Sequence, residues 1–252
     1  MRRRIDQLLV ERGFAESRHK AQALLLAGQV MVGEQKVEKP GQLVDPDLEI
    51  RILRQLPFVS RAGAKLQAAL DHFSIRVAGR VCADLGASTG GFTDCLLQNG
   101  AARVIAFDVG KGQLAWKLRA DPRVTVRDEF NVRNIGPDDL PAALSLISMD
   151  LSFISVTKVL APLRQALPVS ALSIDVIVLV KPQFEVGKGE VGKGGIVREP
   201  DKRARALEGV EEFARRAGYS VIGSIPSPLA GAGGNQEFLL YLQPSGGLLS
   251  LS

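Results

Sequence analysis

The stretch Val81-Cys82-Ala83-Asp84-Leu85-Gly86-Ala87-Ser88-Thr89-Gly90-Gly91-Phe92-Thr93 decides the fold. Its first five residues form a mostly apolar run with an acid near the end, which predicts a buried strand of a parallel sheet. A sharp turn and a close approach of the backbone to a ligand are allowed by three glycines, Gly86, Gly90 and Gly91. The helix that follows can be capped by three hydroxyl residues, Ser88, Thr89 and Thr93.

A second acid, Asp108, follows the next apolar run, Val104-Ile105-Ala106-Phe107. It lies 22 residues after Gly86. This is close to the spacing at which a carboxylate after the second strand meets the ribose hydroxyls in nucleotide-binding βαβ units. The sequence therefore predicts that the glycine turn and Asp108 bind one nucleoside-containing ligand.

Two other classes of enzyme use similar glycine turns. Residues 86–90 also fit the G-x-S-x-G pattern of a hydrolase, but that arrangement needs a histidine after the serine. The two histidines of the chain, His19 and His72, both precede Ser88. A dinucleotide enzyme would prefer glycine where Ser88 stands. Both readings are therefore disfavoured.

The bulk composition predicts one large domain with a small one beside it in 252 residues. Residues 1–65 contain 12 Lys and Arg against 8 Asp and Glu, so this segment supplies most of the net charge of +5. Such an excess indicates contact with a polyanion, although a solvated basic face is the alternative. Two cysteines and two histidines give no convincing zinc set, and we expect a reduced, cytoplasmic protein without a transmembrane helix.

The first 54 residues predict a small α+β unit. We expect a short helix from Ile5, a second helix between Ser17 and Gly28, and a hairpin that turns at Gly33-Glu34. A further alternating strand covers Leu48 to Ile52. Such a unit is too small to be an enzyme. We place it at 1–54, a linker at 55–59, the larger domain at 60–244 and a flexible tail at 245–252.

The larger domain predicts an α/β fold, because apolar strands alternate with amphipathic helices. We expect helices at 156–167 and 202–217 and strands at 144–150, 174–180, 219–225 and 237–242, the last two close enough to pair as a hairpin. Ser60 can cap the first helix of the domain. Ligands in parallel sheets bind at the carboxyl ends of the strands, where four candidates fall: Gly86, Asp108, Asp150 and Lys181.

Lys181 is an unusual residue at the end of the most apolar strand. A lysine there is costly unless it is paired or used. One interpretation is a salt bridge to Asp150; the other is a lysine that accepts or steers a hydroxyl proton. Leu151-Ser152-Phe153 after Asp150 lacks the Pro-Pro-aromatic sequence typical of methyltransferases that act on amino groups of bases.

The N-terminal unit resembles the S4 RNA-binding domain. The resemblance rests on Arg4-Ile5-Asp6-Gln7-Leu8-Leu9, Ser17-Arg18-His19-Lys20-Ala21, Gly28-Gln29-Val30, Val32-Gly33 and Lys39-Pro40-Gly41. It implies binding of structured RNA through the second helix. On that basis we expect phosphate contacts, which position RNA but carry little sequence information, from Arg4, Arg18, Lys20 and Lys36. A solvated side chain remains the alternative for each of these residues.

The loop after the first strand resembles the S-adenosylmethionine loop of class I, Rossmann-like methyltransferases. The set Lys65, Asp150, Lys181 and Glu237 resembles the Lys-Asp-Lys-Glu set of FtsJ-type ribose 2′-O-methyltransferases. An S4 domain followed by such a methyltransferase is the domain order of the TlyA family, often named hemolysins, and the chain resembles this family. Two further stretches carry the resemblance: Ser60-Arg61-Ala62-Gly63-Ala64-Lys65-Leu66 and Gly194-Gly195-Ile196-Val197-Arg198. The resemblance implies S-adenosylmethionine-dependent 2′-O-methylation of cytidines in 16S and/or 23S ribosomal RNA within ribosomal subunits.

The resemblance also assigns roles to residues. Lys181 takes or steers the 2′-hydroxyl proton during direct in-line methyl transfer, Asp150 holds Lys181, and Lys65 and Glu237 orient the ribose; no metal is required. The expected cofactor-binding residues are Asp84, Gly86, Ala87, Ser88, Thr89, Gly90, Gly91, Phe92, Thr93, Asp108, Asp128, Asn131 and Asp150. Further RNA contacts are expected from Arg61, Lys188 and Lys193.

Three alternatives remain open at this point. Residues 187–194 nearly fit the phosphate-binding G-x-x-x-x-G-K-[ST] pattern, but Gly194 replaces the hydroxyl residue, so a mobile basic loop over RNA is preferred. An inactive methyltransferase fold that serves as an RNA-binding assembly factor is disfavoured by the complete four-residue set. A membrane-lytic protein is disfavoured by the absence of a spanning or strongly amphipathic segment. We favour a monomer.

Overall fold

The computed structural model describes residues 2–26, 28–52, 57–168, 173–187 and 189–246. The chain divides into two compact units, Met1–Leu56 and Pro57–Ser252. Residues 55 and 56 of the predicted linker, and 247–252 of the predicted tail, lie outside the described residues. Two other residues of the predicted linker belong to the larger unit. Phe58 is buried there, and the Val59 N–H donates to Asp94 Oδ2 at 2.8 Å.

The smaller unit consists of short elements that share one apolar core. In chain order they are β1 (Arg3–Arg4), α1 (Ile5–Glu11), α2 (Arg18–Leu26), β2 (Val30–Val32), β3 (Gln35–Val37), β4 (Leu43–Val44) and β5 (Ile50–Ile52). β2 lies between β3 and β5, antiparallel to both, and β1 pairs antiparallel with β4. The hairpin prediction is confirmed, with Gly33 in the left-handed region at φ 56°.

The core of the smaller unit follows the helical and strand periodicities of the sequence. α1 contributes Ile5, Leu8 and Leu9, and α2 contributes Ala21 and Leu25. The strands add residues that alternate inward, namely Val30, Val32, Val37, Val44 and Ile50. The polar faces of the helices are thereby left at the surface.

The described part of the larger unit contains thirteen helices and strands, which alternate along most of its length. They are α3 (Ala62–His72), β6 (Val81–Leu85), α4 (Gly91–Gln98), β7 (Arg103–Phe107), α5 (Trp116–Arg119), β8 (Val124–Arg127), β9 (Leu144–Met149), α6 (Thr157–Ala166), β10 (Asp175–Val180), α7 (Pro182–Glu185), α8 (Pro200–Arg216), β11 (Tyr219–Pro226) and β12 (Phe238–Pro244). Short 3₁₀ turns lie at 132–134, 137–139 and 232–234.

These strands form one seven-stranded sheet in the order β11-β12-β10-β9-β6-β7-β8. Neighbours from β10 to β8 are parallel, whereas β12 is antiparallel to both β10 and β11. The predicted pairing of the last two strands is confirmed. The predicted α/β class is confirmed as well, with the qualification that the sheet is mixed.

Helices cover both faces of this sheet. β10 demonstrates the layering, because Val176, Val178 and Val180 pack with α6 and α8, while Ile177 and Leu179 pack with α3 and α4. A strand that is buried on both faces must be apolar throughout, which explains the unbroken apolar run in the sequence.

The carboxyl ends of four parallel strands meet at one edge of the sheet. Gly86 follows β6, Asp108 follows β7, Asp150 follows β9 and Lys181 follows β10. β12 runs in the opposite direction, so its beginning, next to Glu237, reaches the same edge. The topology therefore collects these five residues, which come from distant parts of the sequence.

Candidate active site

The loop between β6 and α4 depends on glycine at two positions. Gly86 has φ 87°, and a Cβ there would lie 2.5 Å from the Asp150 carbonyl oxygen. Gly90 has φ 98°, and a Cβ there would collide with Leu118 and Leu114. Both the backbone conformation and the close packing exclude a side chain.

The predicted hydroxyl caps of α4 are wrong. Gly90 occupies the N-cap position. The Thr93 hydroxyl instead donates to Asp84 Oδ2 at 2.6 Å, and Ser148 donates to Asp84 Oδ1 at 3.0 Å. A fully buried carboxyl group needs such donors, and this need overrides the capping preference. Similarly, Arg61 rather than Ser60 occupies the N-cap position of α3.

Asp84 lies beneath the loop and is fully buried. Burial raises the pKa of Asp84 to about 7, against the lowering effect of its hydrogen bonds from Thr93 and Ser148. Asp84 and Thr93 therefore support the loop from below, and the structure places both outside the lining of the clefts described next.

Asp108 fixes the conformation of two neighbouring loops. Its Oδ2 accepts the Ser88 N–H at 2.7 Å, and its Oδ1 accepts the Gly110 N–H at 2.7 Å. Ser88 itself is in the left-handed region, at φ 49°. Each carboxylate oxygen has a further lone pair, so the group can still accept from a ligand hydroxyl.

A cleft of about 500 Å³ opens beside Asp108, and we name it the nucleotide cleft. Its apolar walls include Val109, Phe130 and Ile154, and its polar lining includes Asp108 and Asn131. Gly86, Ser88 and Asp150 line it as well. An apolar slot beside a carboxylate suits a purine nucleoside, whose base is flat and whose ribose hydroxyls donate hydrogen bonds.

A second cleft, of about 170 Å³, adjoins the first, and we name it the reaction cleft. Asp150, Ser152 and Lys181 line it on one side and Ser60 and Ala62 on another. The loop residues along it are Gly86, Ala87, Ser88, Thr89, Gly91 and Phe92. The two clefts share Gly86, Ser88, Asp150 and Ser152. A ligand in the nucleotide cleft can therefore extend toward Lys181.

Lys181 is held by two groups at the reaction cleft. Its Nζ lies 2.6 Å from Asp150 Oδ1 and donates to Ser152 Oγ at 2.8 Å. The Lys181 side chain is 11% exposed and that of Asp150 is 19% exposed. An ammonium group has three N–H donors, so one remains for a ligand in the cleft.

Lys65 and Glu237 form a second ion pair, with 2.5 Å between Nζ and Oε2. Both side chains are buried. The Glu237 carboxylate also packs against Gly231, where a Cβ would overlap Oε1. Lys65 lines a small cleft of about 200 Å³ together with Ser60, Ala62 and Arg61. Ser60 and Ala62 belong to the reaction cleft too, so the two ion pairs flank adjacent spaces.

Two further predicted cofactor residues, besides Asp84 and Thr93, lie outside the cleft linings. Asp128 accepts from Arg119 Nη2 at 2.7 Å and from the Gly112 N–H at 3.1 Å. The Arg119 hydrogen bond lowers the pKa of Asp128. Gly90 faces α5 through Leu118, as described above. Of Asp128 and Asn131, the structure brings only Asn131 to the lining of the nucleotide cleft.

Ser152 and Phe153 line the candidate site but were not among the site residues predicted from the sequence. Phe153 is 91% exposed at the nucleotide cleft, with φ 67° and its ring centroid 5.5 Å from that of Phe184. A left-handed phenylalanine is strained, and its exposure forgoes burial. A hydroxyl and an aromatic residue directly after a strand-ending acid are the sequence signal that could have found them.

The predicted phosphate contacts of the smaller unit are all engaged in ion pairs. Arg4 and Arg18 both bind Asp6. Lys20 pairs with Glu16, and Lys36 pairs with Glu38. In the larger unit, Arg61 and Lys193 are exposed. Lys188 lies outside the described residues.

The described part of the glycine-rich basic loop is anchored to the segment before β12. Gly192 and Ile196 form an isolated antiparallel bridge. The Val197 N–H donates to Asn235 Oδ1 at 2.9 Å, and Asn235 Nδ2 donates to the Gly195 carbonyl at 2.9 Å. Because Asn235 is two residues before Glu237, this loop and the Lys65–Glu237 pair share one support.

Comparison with known proteins gives two family matches. A model of the FtsJ-like methyltransferases matches residues 58–244, and a model of the S4 domain matches residues 3–50. Among the helices that the structure describes, each is too short or too polar to cross a membrane.

Individual relatives match nearly the whole chain. The 16S/23S rRNA (cytidine-2′-O)-methyltransferase TlyA of Mycobacterium tuberculosis is 45% identical over 96% of this chain and 90% of its own length. Hemolysin A of Brachyspira hyodysenteriae is 40% identical over 94% of this chain and 98% of its own length. A solved Streptococcus thermophilus structure that carries a hemolysin name has a TM-score of 0.74 and 42% identity, and covers 97% of this chain and 89% of that one.

Proposed function

The chain belongs to the TlyA family of S4-domain, FtsJ-like methyltransferases, and we propose that it methylates the ribose 2′-hydroxyl of cytidines in ribosomal RNA with S-adenosylmethionine as donor. The observation that carries this proposal is the Lys181–Asp150 pair at the reaction cleft. A pair of this kind suits a hydroxyl acceptor, which must lose a proton. The name of the Mycobacterium tuberculosis relative supports the choice of cytidine and of 16S and 23S RNA.

The nucleotide cleft suits S-adenosylmethionine. Asp108 would accept from the ribose hydroxyls, and Val109, Phe130 and Ile154 would enclose the adenine. The glycine loop from Gly86 would face the methionine part, because its residues line the reaction cleft that adjoins the nucleotide cleft. When bound, S-adenosylmethionine supplies a methyl group that its positive sulfur already activates.

Lys181 would fix the target hydroxyl. Its Nζ donates to Ser152 Oγ and forms an ion pair with Asp150, and a further N–H would donate to the ribose 2′-oxygen. This contact stabilises the negative charge that develops as the hydroxyl loses its proton. Because the Lys181 ammonium group has no free lone pair, the proton passes to the Asp150 carboxylate of the pair. Lys65 and Glu237 would orient the ribose from the adjacent small cleft. Accurate positioning of the two reactants accounts for much of the rate.

The smaller unit would bind the RNA. Its basic residues contact phosphate groups and therefore place the target without reading much sequence. Arg61 and Lys193 are exposed in the larger unit and are available for the same role. The substrate would be a ribosomal subunit, and the site of action the cytoplasm.

The proposal is tested with purified 30S and 50S subunits from a strain that lacks this protein. Each is incubated with the protein and labelled S-adenosylmethionine, and the 2′-O-methyl sites are then mapped. Label on a cytidine ribose that disappears in Lys181→Ala supports the proposal and identifies the target. Label on a base contradicts the assigned role of Lys181. No label with intact S-adenosylmethionine binding contradicts the assigned substrate, and no cofactor binding favours an RNA-binding assembly factor.

A further inference from the structure

Asp6 joins the two arginines that we expect to contact RNA in the smaller unit. Arg4 donates to Asp6 through Nε and Nη2, each at 3.0 Å. Arg18 donates through Nε at 2.8 Å, and Gln22 donates at 3.4 Å. Arg4 Nη2, Arg18 Nε and Gln22 Nε2 all reach the same oxygen, Oδ2. One carboxylate therefore sets the positions of both guanidinium groups.

The environment of Asp6 is unlike that of a surface ion pair. Its side chain is 0% exposed, in the first turn of α1. The hydrogen bond from Arg4 is the largest of the effects that hold the pKa of Asp6 far below its usual range. A buried carboxylate without these partners would be costly, so the arginines are held firmly.

Both arginines nevertheless face solvent. The side chain of Arg4 is 41% exposed and that of Arg18 is 51% exposed. A guanidinium group has five N–H donors. Arg4 donates to Asp6 through Nε and Nη2, and Arg18 donates through Nε alone. The remaining donors can bind an outside anion while the contacts to Asp6 stay in place.

The lysines of the same unit are held differently. Lys20 and Lys36 pair with Glu16 and Glu38, whose side chains are 82% and 60% exposed. Exposed pairs of this kind contribute little energy and fix no geometry. The arginines, in contrast, form a rigid pair before any ligand arrives, and preorganisation lowers the entropic cost of binding.

We propose that Asp6 is a positioning residue that holds Arg4 and Arg18 as one preformed site for RNA backbone phosphate. The inference rests on the proposed RNA substrate and adds to it a residue that never touches the ligand. Phosphate fits this site because planar guanidinium groups bind its oxygens with paired hydrogen bonds.

One substitution distinguishes a positioning role of Asp6 from a purely electrostatic effect, because the two explanations predict opposite changes in RNA affinity. Asp6→Asn removes a negative charge close to the RNA, so simple electrostatics expects tighter binding. Positioning expects weaker binding, because an asparagine carries no charge to hold either guanidinium group and its NH2 group replaces one of the two oxygens that accept from Arg4. Glu38→Gln is the matched control: it removes one acid beside Lys36 in the same unit, where both accounts expect equal or tighter binding.

The experiment measures the affinity of the full chain for deproteinised 16S and 23S ribosomal RNA at several salt concentrations. We expect Asp6→Asn to weaken binding about tenfold and to reduce the slope of log affinity against log salt by about 1 or 2, as lost phosphate contacts require. Glu38→Gln keeps the wild-type slope. An Asp6→Asn affinity equal to or above wild type, as in Glu38→Gln, overturns the inference.

A second variant covers the case in which Asp6→Asn unfolds the smaller unit, which circular dichroism and thermal melting would reveal. Arg18→Lys keeps the charge at an exposed position but cannot bind Asp6 and phosphate with one rigid planar group. We expect it to lose most of the affinity that Arg18→Gln loses; wild-type affinity would overturn the inference. These measurements use no S-adenosylmethionine. A chain that binds RNA without methylating it would overturn the proposed function and leave this inference intact.

Discussion

Lys65 Nζ lies 2.5 Å from Glu237 Oε2, although 172 residues separate them in the sequence. The Glu237 side chain is only 2% exposed and that of Lys65 11%. The pair connects α3 at the beginning of the larger unit with β12 at its end. The same two residues are the proposed ribose-orienting pair, so a contact that links the two ends of the larger unit also lies in the candidate site.

Breaking this pair should be costly. Lys65→Met leaves a buried carboxylate without its cation, and we expect the free energy of unfolding to fall by about 3–5 kcal/mol. Lys65→Met/Glu237→Gln should recover part of that loss, because the uncompensated charge is gone. Chemical denaturation of the four proteins gives the coupling energy. A loss below about 1 kcal/mol in the single variant would mean that water replaces the partner, as in an exposed pair.

Lys181→Ala should reduce methyl transfer by about 10²–10⁴-fold, the usual contribution of a group that handles a proton. Binding of S-adenosylmethionine should persist, since Lys181 lines the reaction cleft and the nucleotide cleft is formed by other residues. The measurements are single-turnover transfer of labelled methyl groups and calorimetric binding. Lys158→Ala, at an exposed position of α6, serves as control and should retain activity. Loss of cofactor binding in Lys181→Ala would assign Lys181 a structural role instead.

Gly86→Ala and Gly79→Ala form a matched pair of substitutions. Both glycines have positive φ, at 87° and 76°, so each alanine costs about 1–2 kcal/mol of backbone strain. A Cβ at Gly86 would also lie 2.5 Å from the Asp150 carbonyl oxygen, whereas a Cβ at Gly79 would meet nothing within 4 Å. We expect about a tenfold or greater loss of S-adenosylmethionine affinity in Gly86→Ala alone. Equal S-adenosylmethionine affinities in the two variants would show that the close packing of Gly86 against Asp150 does not matter for cofactor binding.

Asp84 should make the stability of the larger unit depend on pH. Its folded pKa of about 7 exceeds the value of about 3.9 for an unfolded chain, so the native state binds the proton more tightly. This contribution is fully present below pH 4 and is lost as the pH rises toward 7, by about 1.4 kcal/mol per pH unit. Asp84→Asn, which resembles the protonated acid, should lose less stability than wild type between pH 5 and pH 8. Parallel pH profiles in urea denaturation would contradict the prediction.

Phe153 allows backbone strain and ring function to be measured separately. Phe153→Gly removes the left-handed strain and Phe153→Ala retains it, so the glycine variant should be more stable by about 1 kcal/mol. Both variants lack the exposed ring at the nucleotide cleft, where it would contact the adenine of S-adenosylmethionine. Aromatic contacts are worth about 0.5–1.5 kcal/mol, so we expect the affinity for S-adenosylmethionine to fall by up to about tenfold in both. Unchanged affinity would show that the ring contacts no cofactor base.

Much of the fold follows from local sequence patterns. The apolar run from Val81, the glycines after it and the acids at the ends of later strands predict a parallel sheet with a ligand edge, and the structure confirms this arrangement. The predictions that were wrong concern hydroxyl groups. Thr93 is of a residue type that often caps helices, but its hydroxyl donates a hydrogen bond to Asp84 instead. A buried carboxyl group competes more strongly for this hydroxyl than the helix end does.

The sequence by itself determined that there are two units, that strands alternate with helices in the larger one, and that Asp150 is a candidate partner of Lys181. Only the tertiary structure decided that Lys65 pairs with Glu237 and that the two ion pairs lie beside adjacent clefts. It also decided that Asp6 holds Arg4 and Arg18 together. Periodicity and glycine positions act over a few residues and can be read locally. The partner of a buried charge is set by which distant segments the sheet brings within about 3 Å, and by how completely water is excluded there.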